Sequence, residues 1–279
     1  MNNNEYVKYQ MSDEELRALQ LVELELLCEV DRLCRECGVR YRIAAGTLLG
    51  AVRHGGFIPW DDDADVHFTR SEYELFRVAC LEHLNTEKFY FQDQRATTGY
   101  RWGYGKLRRK DSLFLRNEQE QMQYEQGIFI DLFIDDYVPN NYILRCIHAF
   151  RCFLYRKAFW SVVGKNTAKG LEQVSYRILS KLNEKKLKVK YARFEKKHNK
   201  RTNWVRSLTF PTPTKDYGYP AALWDDFSEI EFEGIKFMTF ADIKAYLEFK
   251  YGDYLSLPPE NKRKTHPISK LILPKEAEY

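Results

Sequence analysis

The chain has 279 residues, of which 44% are hydrophobic and 30% charged, with a formal net charge of +4. That length allows one large domain or a domain with an insertion, and the composition is ordinary for a globular protein. No apolar run approaches the roughly 18 residues of a membrane span, and the polar N-terminus lacks a signal-like apolar stretch, so the sequence reads as cytoplasmic. In that setting the six cysteines, Cys34-x-x-Cys37 included, read as reduced thiols used for packing.

Charge is unevenly spread. Residues 142–206 hold 18 Lys/Arg against 3 Asp/Glu, a surplus of +15, which leaves the rest of the chain at −11. An acidic body with one strongly basic section implies that this section faces something anionic.

Taken in order, Ser12-x-x-Glu15 is a capping box ahead of Leu16, Leu19, Leu24, Leu27, Val30 and Leu33, which recur at helical spacing. A helix over 13–37 follows, stopped by Gly38. Residues 39–45 read as a strand, Gly46-Thr47 as a small-residue turn, and 48–53 as a short helix. Gly55-Gly56 then breaks the chain before Pro59-Trp60 and four aspartates, Asp61, Asp62, Asp63 and Asp65. Thr69 opens a second helix that ends near residue 85. Strands are expected at 89–91, 100–107, 112–115 and 127–133, with Asp135-Asp136 just beyond the last. The section 142–206 carries no strand signal and reads as two or three helices. Its first helix is apolar almost all round, which suits a buried helix with snorkelling arginines or one lying on a membrane surface. A hairpin around Glu233-Gly234, a helix over 241–251 stopped by Gly252, and a turn-rich tail holding Arg263 and His266 complete the chain. The fold class is α+β, a mixed sheet flanked by helices with a basic helical insertion. The expected units are a core over 1–141, the insertion over 142–206, and a hairpin, helix and tail over 207–279 that complete the core.

The aspartates carry the chemistry. Residues two apart on a strand share a face, so Asp61, Asp63 and Asp65 would point together while Ala64, Val66 and Phe68 turn to the core. Crowded carboxylates repel unless a cation neutralises them, and hard oxygen donors suit Mg²⁺ or Mn²⁺. A solvated acidic turn is the competing account, and the apolar alternation argues against it. Asp62 would face away and cap or solvate the turn. Asp131 sits inside the apolar run Gly-Ile-Phe-Ile-Asp-Leu-Phe, where a lone carboxylate is costly unless paired with a buried base or a metal. It is the natural third ligand. Gly46-Thr47, between a strand and a helix, would leave backbone N–H groups free for a phosphate.

The segment Gly-Thr-Leu-Leu-Gly-Ala-Val-Arg-His-Gly-Gly-Phe-Ile-Pro-Trp-Asp-Asp-Asp-Ala-Asp-Val resembles the signature of the LicD family of phosphotransferases. That family includes bacterial phosphorylcholine transferases and, more distantly, fukutin-type ribitol-phosphate transferases. The resemblance extends to 104–112, 127–137 and the tail, and covers most of the chain outside the basic section. It implies a nucleotidyltransferase-like core. Gly46 and Thr47 take the place of the phosphate turn, Asp63 and Asp65 fall on the Asp-x-Asp, and Asp131 falls on the third carboxylate. Ala64 stands where the family has a bulkier aliphatic, and Phe240 where it often has proline.

The resemblance implies Mg²⁺-dependent transfer of a substituted phosphate, phosphocholine or a related alditol phosphate, from a CDP-activated donor to a glycan or lipid-linked glycan. CMP would leave. Asp63, Asp65 and Asp131 would hold the metal, and Asp131 or a carboxylate near it would take the acceptor's proton. Lys106 would neutralise phosphate charge. Arg53, Arg263 and His266 are candidate donor contacts, each equally readable as a surface or solvated-tail residue. Tyr100, Trp102, Tyr104 and Tyr124 could cage a quaternary ammonium or simply fill a core. Two alternatives stand beside this. One is a nucleotidyltransferase attacking the α-phosphate of an NTP. The other is a non-catalytic binder of nucleic acid or an anionic membrane through the basic helices. Nucleic acid is the partner least expected, and peripheral contact with the inner face of the cytoplasmic membrane fits the +15 section.

Overall fold

The computed structural model describes residues 9–198, 200–212 and 215–275. The first helix, α1 (Asp13–Glu36), starts at the capping box. Ser12 Oγ accepts from the Glu15 amide at 3.1 Å, and Glu15 accepts from the Ser12 amide at 2.9 Å. Its buried face, with Leu19, Leu26, Leu27, Val30 and Leu33 fully covered, lies over the main sheet. Each such side chain contributes about 1.5–3 kcal/mol by leaving water.

The main sheet has seven strands among the described residues. Its centre is β6 (Phe129–Val138), and β2 (Asp65–Thr69) runs parallel to it. Outside β2 lies the two-residue β1 (Arg42–Ile43). On the other flank, β4 (Gly105–Arg109) pairs antiparallel with the first half of β6, and β3 (Phe89–Gln92) closes that edge. The second half of β6 pairs with β7 (Trp204–Ser207), which in turn holds β8 (Tyr219–Pro220). Two small ladders stand apart from the sheet. β5 (Leu113–Arg116) pairs with β11 (Ile268–Ile272), and β9 (Phe227–Phe232) pairs with β10 (Ile235–Phe240) around Glu233-Gly234. α2 (Ala45–His54), α3 (Arg70–His83) and α7 (Ile243–Tyr251) complete the core region. The α+β class with a mixed sheet is therefore observed.

Several boundaries differ from the sequence expectation. The strand expected over 39–45 is only Arg42–Ile43, because the backbone turns at Ala45, whose φ is 48°, directly into α2. Gly46 and Thr47 are consequently inside the first helical turn and not in a turn before it. The expected strand over 100–107 forms only from Gly105, since Tyr100 and Trp102 turn inward into an aromatic cluster with Val163. Asp135 and Asp136 lie within β6, not beyond it. There Asp135 accepts from Trp224 Nε1 at 3.2 Å and Asp136 pairs with Arg70 at 2.6 Å. The tail, expected to be turn-rich, leads into β11.

The basic section forms three helices, α4 (Tyr142–Thr167), α5 (Gly170–Leu179) and α6 (Glu184–Glu195). Cys152 and Phe159 of α4 and Leu187, Tyr191 and Phe194 of α6 pack with Val138 of β6 and Leu208 into a small core. The end of the section, expected to lack strands, enters the main sheet as β7, because its Trp204-Val205 pair meets the exposed half of β6 left free by β4.

Candidate active site

Strand register assembles the centre of the site. Asp65 on β2 is paired with Asp131 on β6, and Asp131 is paired with Lys106 on β4. One row across three neighbouring strands thus carries two carboxylates and an ammonium, and Lys106 Nζ bonds directly to Asp131 Oδ1. The Lys106 ammonium also lies 3.2 Å from the centroid of the Phe129 ring. Burial outweighs the attraction of Asp131 and pulls Lys106 down to about 7. Asp131 is therefore the costly in-strand acid expected from the sequence, and its partner here is a base.

β2 begins only at Asp65, so Asp61 and Asp63 belong to the extended lead-in. Ala64, Val66 and Phe68 are fully buried, as the alternation required. The lead-in is pinned from several sides. Gln20 of α1 donates to the carbonyls of Ile58 and Asp61, at 3.3 and 3.0 Å. Thr47 Oγ1 accepts from the Asp65 amide at 2.8 Å, which ties the first turn of α2 to the Asp-x-Asp segment. At Gly46 a Cβ would stand 2.7 Å from Asp61 Oδ2, so only glycine lets that carboxylate approach the helix start. Gly46 and Thr47 lie in the first turn of α2, where backbone amides have no intrahelical acceptor.

The carboxylates raise one another. Burial first, then Asp63 and Asp62, lift Asp61 to about 8. Burial and Asp131 also lift Asp63, against the pull of His266. Asp65 is pushed far up by burial and by Asp63. An all-oxygen donor set in charge excess is chemically suited to a hard divalent cation. Among the described residues, however, no three His, Cys, Asp or Glu side chains stand disposed as a ready cage, and Asp131 is held by Lys106.

Asp62 departs from expectation. It does not face solvent but is 2% exposed, and it accepts from His266 twice, from the amide and from Nδ1, each at 3.0 Å. The β5–β11 ladder fixes that contact by returning the tail to the core. His266 Nδ1 also lies 3.6 Å from Asp63 Oδ2, so His266 is part of the site. Arg53 and Arg263 are not drawn to the Lys106–Asp131 row. Arg53 donates to the carbonyls of Tyr254 and Ser256, at 3.2 and 3.4 Å. Arg263 donates to the Pro258 carbonyl and stacks 4.9 Å above Trp60. Arg53 ties the tail to α2, and Arg263 lays it on Trp60.

A cleft of about 270 Å³ opens over Lys106. Its wall includes Trp102, Tyr104, Phe129, Trp160, Arg116 and His266. Of the four aromatic residues singled out in the sequence, Trp102 and Tyr104 line it, Tyr124 accepts from Trp102 Nε1 at 3.2 Å, and Tyr100 is wholly buried. Trp160 comes from α4 and meets Trp102 at 5.5 Å, so the basic section supplies a wall of the cleft.

Two site residues escaped the sequence reading. Arg116, at the end of β5, has a buried Nη1 without a hydrogen-bond partner, and it stands near enough to Asp63 to draw that acid down. Pairing of Arg116 with Ile268, two residues after His266, brings these two side chains to one edge. Only knowledge of that ladder could have found it. Glu23 lies on the covered face of α1, 1% exposed, with one carboxylate oxygen unpartnered. Burial and then Asp63, Asp62 and Asp61 push it far above the usual carboxylate range, so it favours the protonated form. Its signal was a glutamate on the apolar side of an otherwise regular amphipathic helix.

Comparison with known proteins agrees with this geometry. The family model described as "LicD/FKTN/FKRP, nucleotidyltransferase domain" matches residues 38–143, which hold Asp63, Asp65, Lys106, Arg116 and Asp131. The lipopolysaccharide cholinephosphotransferase LicD of Haemophilus influenzae is 31% identical over 278 residues, covering 92% of this chain and 98% of that protein. The uncharacterized protein RP689 of Rickettsia prowazekii is 39% identical over 66 residues, 24% of this chain and 23% of that one. The human ribitol 5-phosphate transferase FKRP is 62% identical over 29 residues, 10% of this chain and 6% of that one. Near full-length likeness to one member, together with the family match over the carboxylate-bearing strands, shows that the chain belongs to the LicD family of phosphotransferases.

Proposed function

We propose that this chain transfers phosphocholine, or a closely related alcohol phosphate, from a CDP-activated donor to a hydroxyl of a glycan, with CMP as the second product. The observation that carries this reading is the Asp65–Asp131–Lys106 row across three neighbouring strands, whose Lys106 lines an open cleft. Carboxylates crowd one side of it, and cations and aromatic rings the other. The name and near full-length likeness of the Haemophilus relative support phosphocholine and a glycan acceptor.

In this reaction the acceptor oxygen bonds to the donor's β-phosphorus, and the bond from that phosphorus to the bridging oxygen breaks, so the bridging oxygen leaves with CMP. The acceptor's proton passes to Asp131 or to a carboxylate beside it, among which Asp61 and Asp63 are raised toward proton-accepting values. Lys106 and the unpartnered Arg116 neutralise charge on the transferred phosphate. The first-turn amides of α2 face the second phosphate. Trp102, Tyr104 and Trp160 offer aromatic faces to a quaternary ammonium. His266 clamps Asp62 and thereby fixes the lead-in that carries Asp63. The donor chemistry of Asp63, Asp65 and Asp131 fits Mg²⁺ or Mn²⁺, which when bound would neutralise the donor's phosphates and stabilise departing CMP.

The test is CMP release by the purified chain from CDP-choline, CDP-glycerol and CDP-ribitol, with Mg²⁺ and a glycan acceptor. Metal-dependent CMP release with one of these donors is expected, and chelation should stop it. Pyrophosphate release from an NTP instead would redirect the reading to nucleotidyl transfer. Absence of turnover with every CDP donor would overturn it.

A further inference from the structure

Along α4, Ile143, Ile147, Phe150, Leu154, Lys157, Ser161 and Gly164 follow one another at alternating spacings of four and three, a single continuous seam. The second half of that seam is covered. α5 folds back over it, with Tyr176 packed on Gly164 so closely that a Cβ there would meet the ring at 2.5 Å, and Lys157 bonded to Glu172 and Tyr176. The first half is bare. Ile143, Ile147, Phe150 and Leu154 are all exposed, Ile143 at 68%. α5 in turn exposes Leu171, Val174 and Ile178, which lie on its side away from Tyr176.

The bare region is broader than a seam. Tyr142, Leu144 and Phe153 are exposed beside it, so the apolar band spans roughly 200° of the helix at about 100° per residue. One partner helix covers a narrow two-position stripe, whereas hydrocarbon covers a band of any width. Basic side chains rim this surface. Arg151 adjoins the band on α4, and Arg177 and Lys181 follow the α5 stripe, exposed and in no ion pair among the described residues. The insertion as a whole carries +15. No described helix is long and apolar enough to cross a membrane.

We propose that the bare half of α4, with the outer face of α5, docks in the plane of an anionic lipid bilayer. The apolar side chains enter the acyl boundary, and the lysines and arginines meet anionic headgroups. Trp160, two helical turns beyond Leu154, lines the catalytic cleft, so docking holds the cleft mouth next to the bilayer, where an acceptor glycan on a lipid would present itself. This goes beyond the proposed chemistry and does not depend on it, since binding is read without turnover.

The test is flotation of the full chain with vesicles of phosphatidylcholine alone and with added phosphatidylglycerol. Binding to the anionic vesicles is expected, at least tenfold tighter than to neutral ones, and reduced but not lost in 0.5 M salt as headgroup attraction is screened. Ile147→Glu with Leu154→Glu should weaken it at least tenfold, and Leu171→Glu with Ile178→Glu, on the other helix, should weaken it as well. Both pairs sit on exposed positions, and unchanged thermal unfolding checks their folds. Failure of the unmodified chain to float with anionic vesicles would overturn the proposal. So would a self-association, seen by sedimentation velocity without vesicle binding and lost in the same variants, which would make the surface a contact between two copies.

Discussion

The carboxylate row and the basic helices use opposite charge in opposite ways. In the core, acids are concentrated on β2, its lead-in and β6, close enough to raise one another, and this is the region proposed to meet cations and phosphate. In the insertion, most of the cations are spread over exposed helix faces, and the uncompensated feature is apolar surface. Crowding beside a sheet perturbs protonation, while spreading on a surface leaves apolar side chains uncovered. The two regions meet at Trp160, which belongs to the insertion and lines the core's cleft.

The largest effect should come from the core's row. Asp65→Asn and Asp131→Asn should each lower kcat by about 10²–10³-fold or more in the CMP-release assay, as loss of a preorganised electrostatic group does. Lys185→Glu with Lys186→Glu, exposed on α6, should change turnover of a water-soluble acceptor by no more than about twofold, the scale of ordinary surface changes. Equal losses in the two regions would break the distinction.

Lys106→Met comes next. It strands Asp131 in a buried strand position, and breaking one side of a buried pair costs about 3–5 kcal/mol, which urea unfolding would measure. Arg116→Ala should behave differently although it lies in the same cleft. Its Nη1 has no partner to lose, so stability should hold while kcat/KM for the donor falls about 10–100-fold, the worth of a charged hydrogen bond. The smallest effect sits at the junction of the regions. Glu195 of α6 approaches Arg70, which pairs with Asp136 of β6. Burial lifts Glu195 from 4.5 to about 7. The folded chain therefore binds that proton more tightly than the unfolded one, and stability from this group falls as pH rises through that window. Glu195→Gln should remove that part of the decline, compared by unfolding midpoints at pH 5 and pH 8.

Much of the site could be read in the chain because its signals are local. The alternation around Asp63 and Asp65 needs only a two-residue period, and Asp131 stands out because an acid in an apolar strand requires a partner. The capping box at Ser12 and the helix start at Thr69 are local signals, and both helices begin there. Asp62 was misjudged because its orientation depends on a residue 204 positions away. Arg53 and Arg263 were candidate donor contacts, and the carbonyls they donate to lie in the tail, as partners that a motif does not name. Arg116 was invisible, and the neighbours of Glu23 were unreadable, for a related reason. Nothing in a helix or a short strand says which neighbour its charged end will meet.

The sequence by itself determined which residue types were available and with what period, and so the α+β class, the acidic motif, the charge division and the family. Tertiary structure alone decided the pairings. It set Asp65 beside Asp131, put Lys106 on the other flank of Asp131, and brought His266 back to Asp62 through β11. It also covered half of the α4 seam and left the other half bare. The physical reason is that side-chain periodicity is local, whereas strand register and helix covering are settled by the best joint burial of segments far apart in the chain.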